Sequence, residues 1–249
     1  MDVSFQLYSA RNFPPIADVL ARLSGLGYRQ VEGFGGLYAD VDGLADALHT
    51  NGLIMPTGHF GLAQLQDTDT ALKTAEKLGM RYLYCPAIPK EDRSQSDDKW
   101  MALGETLARL GETFRSRGFG FGWHNHDFEF RPTASGKLPM DLLLQYAPHN
   151  EWEMDVAWVV KGGQDPIEWM KAHGKHINAI HVKDIAPAGE ATDEDGWADV
   201  GHGTLDWPAL AAAAKAHTNV QYWVMEHDNP SDADRFAERS IAAVNKWKL

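Results

Sequence analysis

The sequence lacks several features that mark particular protein classes. It has one cysteine in 249 residues, so no disulfide can form within the chain, and a reducing compartment is the natural environment. Its first residues, MDVSFQLYSARNF, contain no basic segment followed by an apolar one, and no apolar run is long enough to cross a bilayer. We therefore expect a cytoplasmic protein with no membrane partner.

Basic residues are also scarce relative to acidic ones. The chain has 23 lysines and arginines against 35 aspartates and glutamates, a formal net charge of −12 at pH 7. This balance repels phosphate backbones and anionic lipid, so no nucleic-acid partner is expected. A small carbohydrate substrate is compatible with it, and the sequence leaves open whether the chain forms a homo-oligomer.

Short apolar segments rich in β-forming residues alternate with segments of helical periodicity along the whole chain. The predicted strands are 3–9, 28–34, 53–60, 80–88, 119–126, 151–159, 177–184 and 220–228. The predicted helices are 16–27, 41–52, 69–79, 100–118, 139–148, 165–175, 207–217 and 232–247. Eight strands that are each followed by a helix predict a single α/β domain, a (β/α)8 TIM barrel spanning residues 1–249.

Two other organisations are less compatible with the sequence. An open, doubly wound sheet usually carries a glycine-rich G-x-G-x-x-G turn after its first strand, and none is present. No linker or low-complexity tract marks a division into two small domains. The longest irregular segment, 185–207, follows the seventh strand, where a barrel places its catalytic loops.

Chemically active side chains collect at the ends of the predicted strands, where barrel enzymes build their active sites. Six of the eight ends carry at least one such group, namely Glu32, His59, His124 with His126, Asp155, His181 with Lys183, and Glu226 with His227 and Asp228. Mixed carboxylate and imidazole ligands suit Mn²⁺, Mg²⁺, Co²⁺ or Zn²⁺. Asp155, His181 and Glu226 come from three consecutive strands and are therefore candidate ligands of one ion.

The segments EMDVAWV, AIHVKD and WVMEHD, preceded by HNHDFEF and separated by VGHGTLDW, resemble the sugar phosphate isomerase/epimerase group of xylose isomerase-like TIM barrels. The resemblance extends from about Gly27 to the C-terminus and is most specific in the second half. It implies one divalent ion held by four residues from strands five to eight, usually Glu, Asp, His and Glu. Asp155, His181 and Glu226 match the last three positions.

The first ligand position departs from that family pattern. His124 stands where many relatives have a glutamate, and the nearest carboxylate is Glu129 in the loop beyond. Either residue is a candidate ligand, and we favour Glu129 because a third oxygen ligand keeps the site suited to Mn²⁺ or Mg²⁺. His124 and His126 would then contact the substrate or support the ligands.

The resemblance implies proton abstraction next to a carbonyl, with the ion stabilising the enediolate. Glu226 is the candidate base on one face, and Glu129 or His124 on the other. Candidate substrate-binding residues are His126, Lys183, His59, Glu32 and Trp158, with Trp123 and Trp197 as further possible walls. Trp158 replaces a sugar-binding histidine of some relatives, which leaves the sugar undefined.

Other functions remain open at this point. If His124 replaces a catalytic glutamate, dehydration, hydration or elimination of a keto-sugar gains weight against isomerisation. An endonuclease IV-like nuclease would require three metal ions and a basic surface, which the acidic composition disfavours. A sugar-binding barrel without catalytic activity is the remaining alternative.

Overall fold

Eight parallel strands form a closed barrel in the computed structural model, which describes residues 3–93 and 96–247. The barrel strands are β1 (Ser4–Gln6), β2 (Gln30–Gly33), β3 (Ile54–His59), β4 (Tyr82–Cys85), β5 (Gly120–His124), β6 (Glu151–Asp155), β7 (Ile177–Val182) and β10 (Tyr222–Met225). A short antiparallel pair, β8 (Asp184–Ile185) and β9 (Trp197–Ala198), follows β7. Strand β1 closes the ring by pairing with β2 and β10. The predicted (β/α)8 barrel is confirmed.

Helices connect the strands and cover the barrel. They are α1 (Ile16–Leu26), α2 (Val41–Thr50), α3 (Leu62–Gln66), α4 (Thr68–Leu78), α5 (Asp97–Ser116), α6 (Pro139–Tyr146), α7 (Val156–Lys161), α8 (Pro166–His173), α9 (Trp207–His217) and α10 (Ala233–Val244). Two of them, α3 and α7, are short additions to the eight that the periodicity predicts. Within the described ranges, no helix is long and apolar enough to cross a membrane.

Aspartates begin most of the longer helices and explain several boundaries. The carboxylates that accept a backbone N–H from the first helical turn are those of Asp40, Asp67, Asp155, Asp165, Asp206 and Asp232. Such caps satisfy N–H groups that have no partner inside the helix, each contributing about 1 kcal/mol. Glycines at positive φ follow two of the helices, Gly27 after α1 and Gly79 after α4.

The sixth strand is shorter than the sequence predicts. The prediction of a strand over 151–159 is wrong from residue 156 onward, because the Asp155 carboxylate accepts the Trp158 N–H at 2.9 Å and α7 begins at Val156. The residues 156–159 are apolar in sequence, so periodicity alone does not separate a buried strand from a buried short helix.

Alternation along β6 separates its core residues from its site residues. Trp152 points outward and packs edge-to-face on Trp169 of α8, with ring centroids 5.9 Å apart. Glu153 and Asp155 lie on the opposite face of the strand, in the barrel interior, and both are fully buried. The same strand therefore anchors a helix and contributes two carboxylates to the interior.

The segment after β7 is ordered by two carboxylates. Asp184 accepts the backbone N–H groups of Gly201, Gly203 and Leu205 at 3.0 to 3.1 Å, which ties the two ends of the segment together. Glu194 forms a two-oxygen contact with Arg235 of α10, each oxygen 2.9 Å from the same guanidinium nitrogen. The long loop is thereby held against the barrel instead of standing free.

Candidate active site and metal centre

A cavity of about 570 Å³ opens where the barrel strands end. The residues that line it are Tyr8, Arg11, Phe34, Gly35, His59, Gly61, Pro86, Ala87, His124, His126, Trp158, Lys161, Asp195, Trp197, Glu226 and Asp228. This volume is typical of sites for small molecules. Four aromatic side chains and several charged groups give it both apolar walls and polar anchors.

Four donor side chains from consecutive barrel strands converge beside the cavity. His124, Asp155 and His181 lie on β5, β6 and β7, and Glu226 follows β10. One donor atom from each lies within 4.8 Å of the donor atoms of the other three, and all four residues are buried. In-register pairing of Asp155 with His181 sets these two at the same level of the barrel. Two imidazoles and two carboxylates at this spacing could hold one divalent ion.

The chemical state of two members suits metal binding. Burial and the neighbouring His181 lower the pKa of His124 to about 3, so its imidazole is neutral at physiological pH. A neutral imidazole is the form that binds metal ions. Among the described residues, Asp155 Oδ2 is buried and accepts no hydrogen bond, which leaves an oxygen for a cation.

Lys183 supplies positive charge to the same group of carboxylates. Its Nζ lies 2.6 Å from Asp228, 3.2 Å from Glu226 and 3.5 Å from Asp155. Burial alone would raise the pKa of Glu226, but Lys183 and His181 hold it well below its usual range. Burial raises the pKa of Asp155 to about 7 in spite of Lys183. Glu226 is therefore ionised at neutral pH and able to accept a proton.

A second layer of polar side chains lies beneath the four donors. Glu153 Oε2 is 2.5 Å from His59 Nε2, 3.2 Å from His124 Nδ1 and 3.3 Å from His181 Nε2. Glu32 Oε1 lies 2.7 Å from His181 Nε2. Glu153 was not among the predicted site residues, although it lies two residues before Asp155 and strand alternation places both on the same face. Both carboxylates are completely buried.

Glu129, the favoured first ligand, is not brought to the other three ligands. Its Oε1 accepts the Trp123 indole N–H at 2.8 Å, and its Oε2 accepts the His126 backbone N–H at 2.9 Å. Both oxygens are therefore occupied in holding the loop after β5. His124 occupies the position that we expected Glu129 to reach.

The middle residue of His124–Asn125–His126 links β5 to β6. Asn125 Oδ1 accepts the Trp152 indole N–H at 2.8 Å and the Asp155 N–H at 3.0 Å, while its amide donates to the Asp155 carbonyl at 3.2 Å. These bonds fix the backbone of Asp155. His126 lies at the cavity, with its ring centroid 5.3 Å from that of Trp158.

The candidate substrate-binding residues fall into two groups. His59, His126 and Trp158 line the cavity, as expected for contact with a ligand. Lys183 and Glu32 are completely buried behind the donor group, and neither lines the cavity. Lys183 contacts three carboxylates and the ring of Trp197, and Glu32 contacts histidines and Gln6. The structure therefore gives both residues a supporting place instead of a substrate-facing one.

Several cavity residues were not predicted because they lie beyond the strand ends, in a loop or at the end of the short helix α7. Lys161 follows β6 and its Nζ lies 3.3 Å from the centroid of the Trp197 ring, while the Arg11 guanidinium lies 3.9 Å from the centroid of Tyr8. Only the folded chain brings these loops together. The cavity therefore has cations stacked on aromatic walls at two places.

Sequence comparison places this architecture in a known family. A model of the xylose isomerase-like TIM barrel matches residues 20–247. The chain belongs to the xylose isomerase-like TIM-barrel family. Among curated proteins, no sequence matches this chain significantly.

Solved structures of low sequence identity share this xylose isomerase-like fold. A sugar phosphate isomerase/epimerase from Parabacteroides distasonis is 21% identical, with a TM-score of 0.80 over 99% of this chain and 95% of its own. A probable 3-DHS dehydratase, AsbF, from Bacillus anthracis is 12% identical, with a TM-score of 0.77 over 99% of both chains. The IOLI protein with a bound zinc atom is 16% identical, with a TM-score of 0.77 over 99% of both chains.

Proposed function

We propose that this protein is a metal-dependent enzyme that abstracts a proton next to the carbonyl of a sugar or sugar derivative, leading to isomerisation or epimerisation. The observation that carries the proposal is the convergence of His124, Asp155, His181 and Glu226, whose donor atoms lie within 4.8 Å of one another beside the cavity. Structural neighbours include a sugar phosphate isomerase/epimerase and a protein with bound zinc, in agreement with this chemistry.

In this proposal His124, and not Glu129, is the first ligand. His124 is neutral and belongs to the donor group, whereas both oxygens of Glu129 are engaged by Trp123 and the His126 backbone. A divalent ion held by the four donors would polarise the substrate carbonyl and so acidify the adjacent C–H. With two imidazoles and two carboxylates, the donor set is compatible with Zn²⁺, Co²⁺ or Mn²⁺.

The residues of the chain supply the remaining functions. Glu226 is ionised, lines the cavity and has its Oε2 held by His181 at 2.9 Å and Lys183 at 3.2 Å, so it is the candidate base. The partly exposed rings of Tyr8 and Trp158, which line the cavity, offer surfaces on which the C–H face of a sugar could stack. The cavity is large enough to take a monosaccharide with a substituent.

Elimination or dehydration of a keto-sugar is the second candidate reaction. The specific observation in its favour is that His124 stands at the first position of the usual Glu, Asp, His, Glu set, which leaves Asp155 and Glu226 as the carboxylates of the donor group. An epimerase serves both faces of the substrate with a proton-transfer group, whereas an elimination needs a base on one face only. A probable dehydratase among the structural neighbours agrees with this alternative.

The metal content of two variants tests whether an ion binds at the proposed site, and two aspartates of the chain allow a matched comparison. Asp155 and Asp165 both cap a helix, and asparagine is also a good cap, so Asp→Asn retains the cap at either position. We expect Asp155→Asn to lose the bound ion and Asp165→Asn to keep about one ion per chain by elemental analysis. Equal metal content in the two variants would contradict the proposed site.

Deuterium exchange tests the reaction. Wild-type protein in D₂O with candidate ketoses, 3-keto-glycosides and inososes should introduce deuterium next to the carbonyl, and Glu226→Gln should slow this by about 10² to 10⁴-fold. Glu238→Gln, on the exposed surface of α10, is the control. A labelled isomer would identify an isomerase or epimerase, and an unsaturated product a lyase. Exchange at the wild-type rate in Glu226→Gln would remove Glu226 from the base role.

A further inference from the structure

Two buried carboxylates beneath the donor group contact its imidazoles: Glu32 contacts His181, and Glu153 contacts both His124 and His181. Glu32 comes from β2 and Glu153 from β6, and neither has any exposed surface. Glu32 Oε1 lies 2.7 Å from His181 Nε2, and Glu153 Oε2 lies 3.2 Å from His124 Nδ1. The first pair is a hydrogen bond, whereas the second is an ion-pair contact without hydrogen-bond geometry, so Glu153 is the nearby carboxylate to which a proton on His124 Nδ1 could turn.

The other ring nitrogens are then left for the ion. A neutral imidazole carries one proton, and a carboxylate beside one nitrogen retains the proton there as a hydrogen-bond donor. His181 Nδ1 lies 2.9 Å from Glu226 Oε2, on the side of the donor group. Both nitrogens of His181 lie beside a carboxylate, but Glu226 belongs to the donor group and Glu32 does not. We therefore infer that the ion would take Nδ1 of His181 and Nε2 of His124.

Each carboxylate is itself fixed by a residue from a further strand. Gln6 of β1 donates its amide N–H to Glu32 Oε1 at 2.7 Å. His59 of β3 holds Glu153, with its Nε2 2.5 Å from Glu153 Oε2. Gln6 and His59 lie on strands that carry neither His124 nor His181, so the carboxylates are held by the barrel wall and not by these two histidines alone.

We propose that Glu32 and Glu153 are positioning residues that hold His181 and His124 in the tautomer and ring orientation required for metal binding. This inference rests on the proposed metal site and adds its supporting layer. It also explains why two carboxylates remain buried away from the cavity, where neither can meet a substrate. Their charge increases the electron density of the imidazoles, which strengthens the bond from each ligand to the ion.

The same residues allow one competing arrangement. Donor atoms of His59, His124, Glu153 and His181 also lie within 4.8 Å of one another, which is compatible with a second ion deeper in the barrel. That ion would take the nitrogens that face Glu153, so these would carry no proton. The positioning arrangement leaves them protonated, and this difference can be measured directly.

Nitrogen-15 NMR of the zinc-loaded wild-type protein tests the tautomers without any substitution in the inner layer. The resonances of the two rings can be assigned from their loss in His124→Gln and His181→Gln. We expect a protonated Nδ1 and a zinc-bound Nε2 in His124, with the reverse in His181. A zinc-bound Nδ1 in His124, together with two zinc ions per chain, would establish the deeper ion and overturn the proposal.

Zinc affinity, measured by competition with a chelator, tests the energetic role. Glu32→Gln and Glu153→Gln should each weaken binding by about 10 to 100-fold while the chain stays folded by circular dichroism. Glu151→Gln is the matched control, because it makes the same change on β6 but Glu151 contacts neither histidine ligand.

The outcomes separate this inference from the proposed function. If wild-type protein binds one zinc ion and both glutamine variants bind it equally well, the positioning role is refuted and the metal site stands. If wild-type protein binds no divalent ion, the proposed function fails and this inference fails with it. If a variant does not fold, the tautomers of the wild-type protein still decide the question.

Discussion

Glu129→Gln distinguishes a structural glutamate from a metal ligand. Glutamine has the same shape as glutamate but offers one acceptor oxygen instead of two. In the wild type the Trp123 indole N–H donates to one oxygen of Glu129 at 2.8 Å and the His126 N–H to the other at 2.9 Å, so in the variant one of them faces an amide donor. Leaving one buried donor unpaired costs about 1 to 3 kcal/mol. We expect urea unfolding at pH 5 to show a loss of stability of this size.

Zinc affinity should respond differently to the two candidate residues. Glu129→Gln should change the dissociation constant by less than about twofold, whereas His124→Gln should raise it by at least about tenfold because a ligand is lost. Glu105→Gln, an exposed substitution on α5, controls for the change in net charge. A tenfold loss of affinity in Glu129→Gln with none in His124→Gln would return the ligand position to Glu129.

The difference in stability between the wild type and Glu129→Gln should also depend on pH. Burial raises the pKa of Glu129 from 4.5 to about 8 in the folded protein. Because the pKa of Glu129 is raised in the folded protein, its contribution to the free energy of unfolding is complete below pH 4.5. This contribution is lost as the pH rises to 8, by at most about 1.4 kcal/mol for each pH unit. Glutamine does not titrate, so the variant should approach the wild type between pH 5 and 8. A difference that widens over this range would refute the reasoning.

Three further predictions concern the support of the site. Asn125→Ala should lower the free energy of unfolding by about 2 to 4 kcal/mol, measured in urea, because Trp152 Nε1 and the Asp155 N–H lose their acceptor. Hydrogen bonds from Ser231 and the charge of Arg235 outweigh burial and lower the pKa of Glu194 to about 2. Its stabilisation, about 1 to 2 kcal/mol after solvent screening, is present above pH 4.5 and lost as the pH falls towards 2. The stability of the wild type should therefore approach that of Glu194→Gln between pH 4.5 and 2. Chelator treatment should lower the midpoint of thermal unfolding, and added zinc should restore it, because the ion binds the folded state.

Strand order and the C-terminal position of the site could be predicted because they depend on local sequence. Each strand is a short apolar segment followed by a helical period, and parallel strands bring their ends to one edge. The placement of Asp155, His181 and Glu226 at neighbouring strand ends follows from this rule and agrees with the structure. Predicting this placement requires no knowledge of distances between side chains.

The first ligand could not be predicted in the same way. His124 and Glu129 are five residues apart, and either one could reach the ion from sequence spacing alone. Burial and two N–H donors hold Glu129 at Trp123 and His126, and both donors are identified only when the loop after β5 is folded. Hydrogen bonding in that loop keeps Glu129 away from the donor group, and sequence spacing contains no sign of it.

The residues of the cavity walls could not be predicted from the ends of the strands, for a similar reason. Arg11 and Lys161 lie in connecting segments, where neither periodicity nor a motif marks them. Their stacking on Tyr8 and Trp197 depends on where the loops after β1, β6 and β8 meet. Loop residues are positioned by the scaffold, so the features that determine the substrate are the least visible in a single sequence.

The buried charges of the site favour binding over stability. The carboxylates of Glu32, Glu153 and Glu226 and the ammonium of Lys183 lie in the barrel interior with almost no exposed surface. Pairing them with one another recovers part of the cost of removing them from water, but well-packed apolar residues of similar volume often do as well or better. Removing one partner is worse, because it leaves an unpaired charge and costs about 3 to 5 kcal/mol. A barrel that needed only stability would fill this layer with branched apolar side chains, as most barrels do. The proposed divalent ion gives these charged groups a use that stability does not, because two carboxylates and two imidazoles at this spacing could hold it.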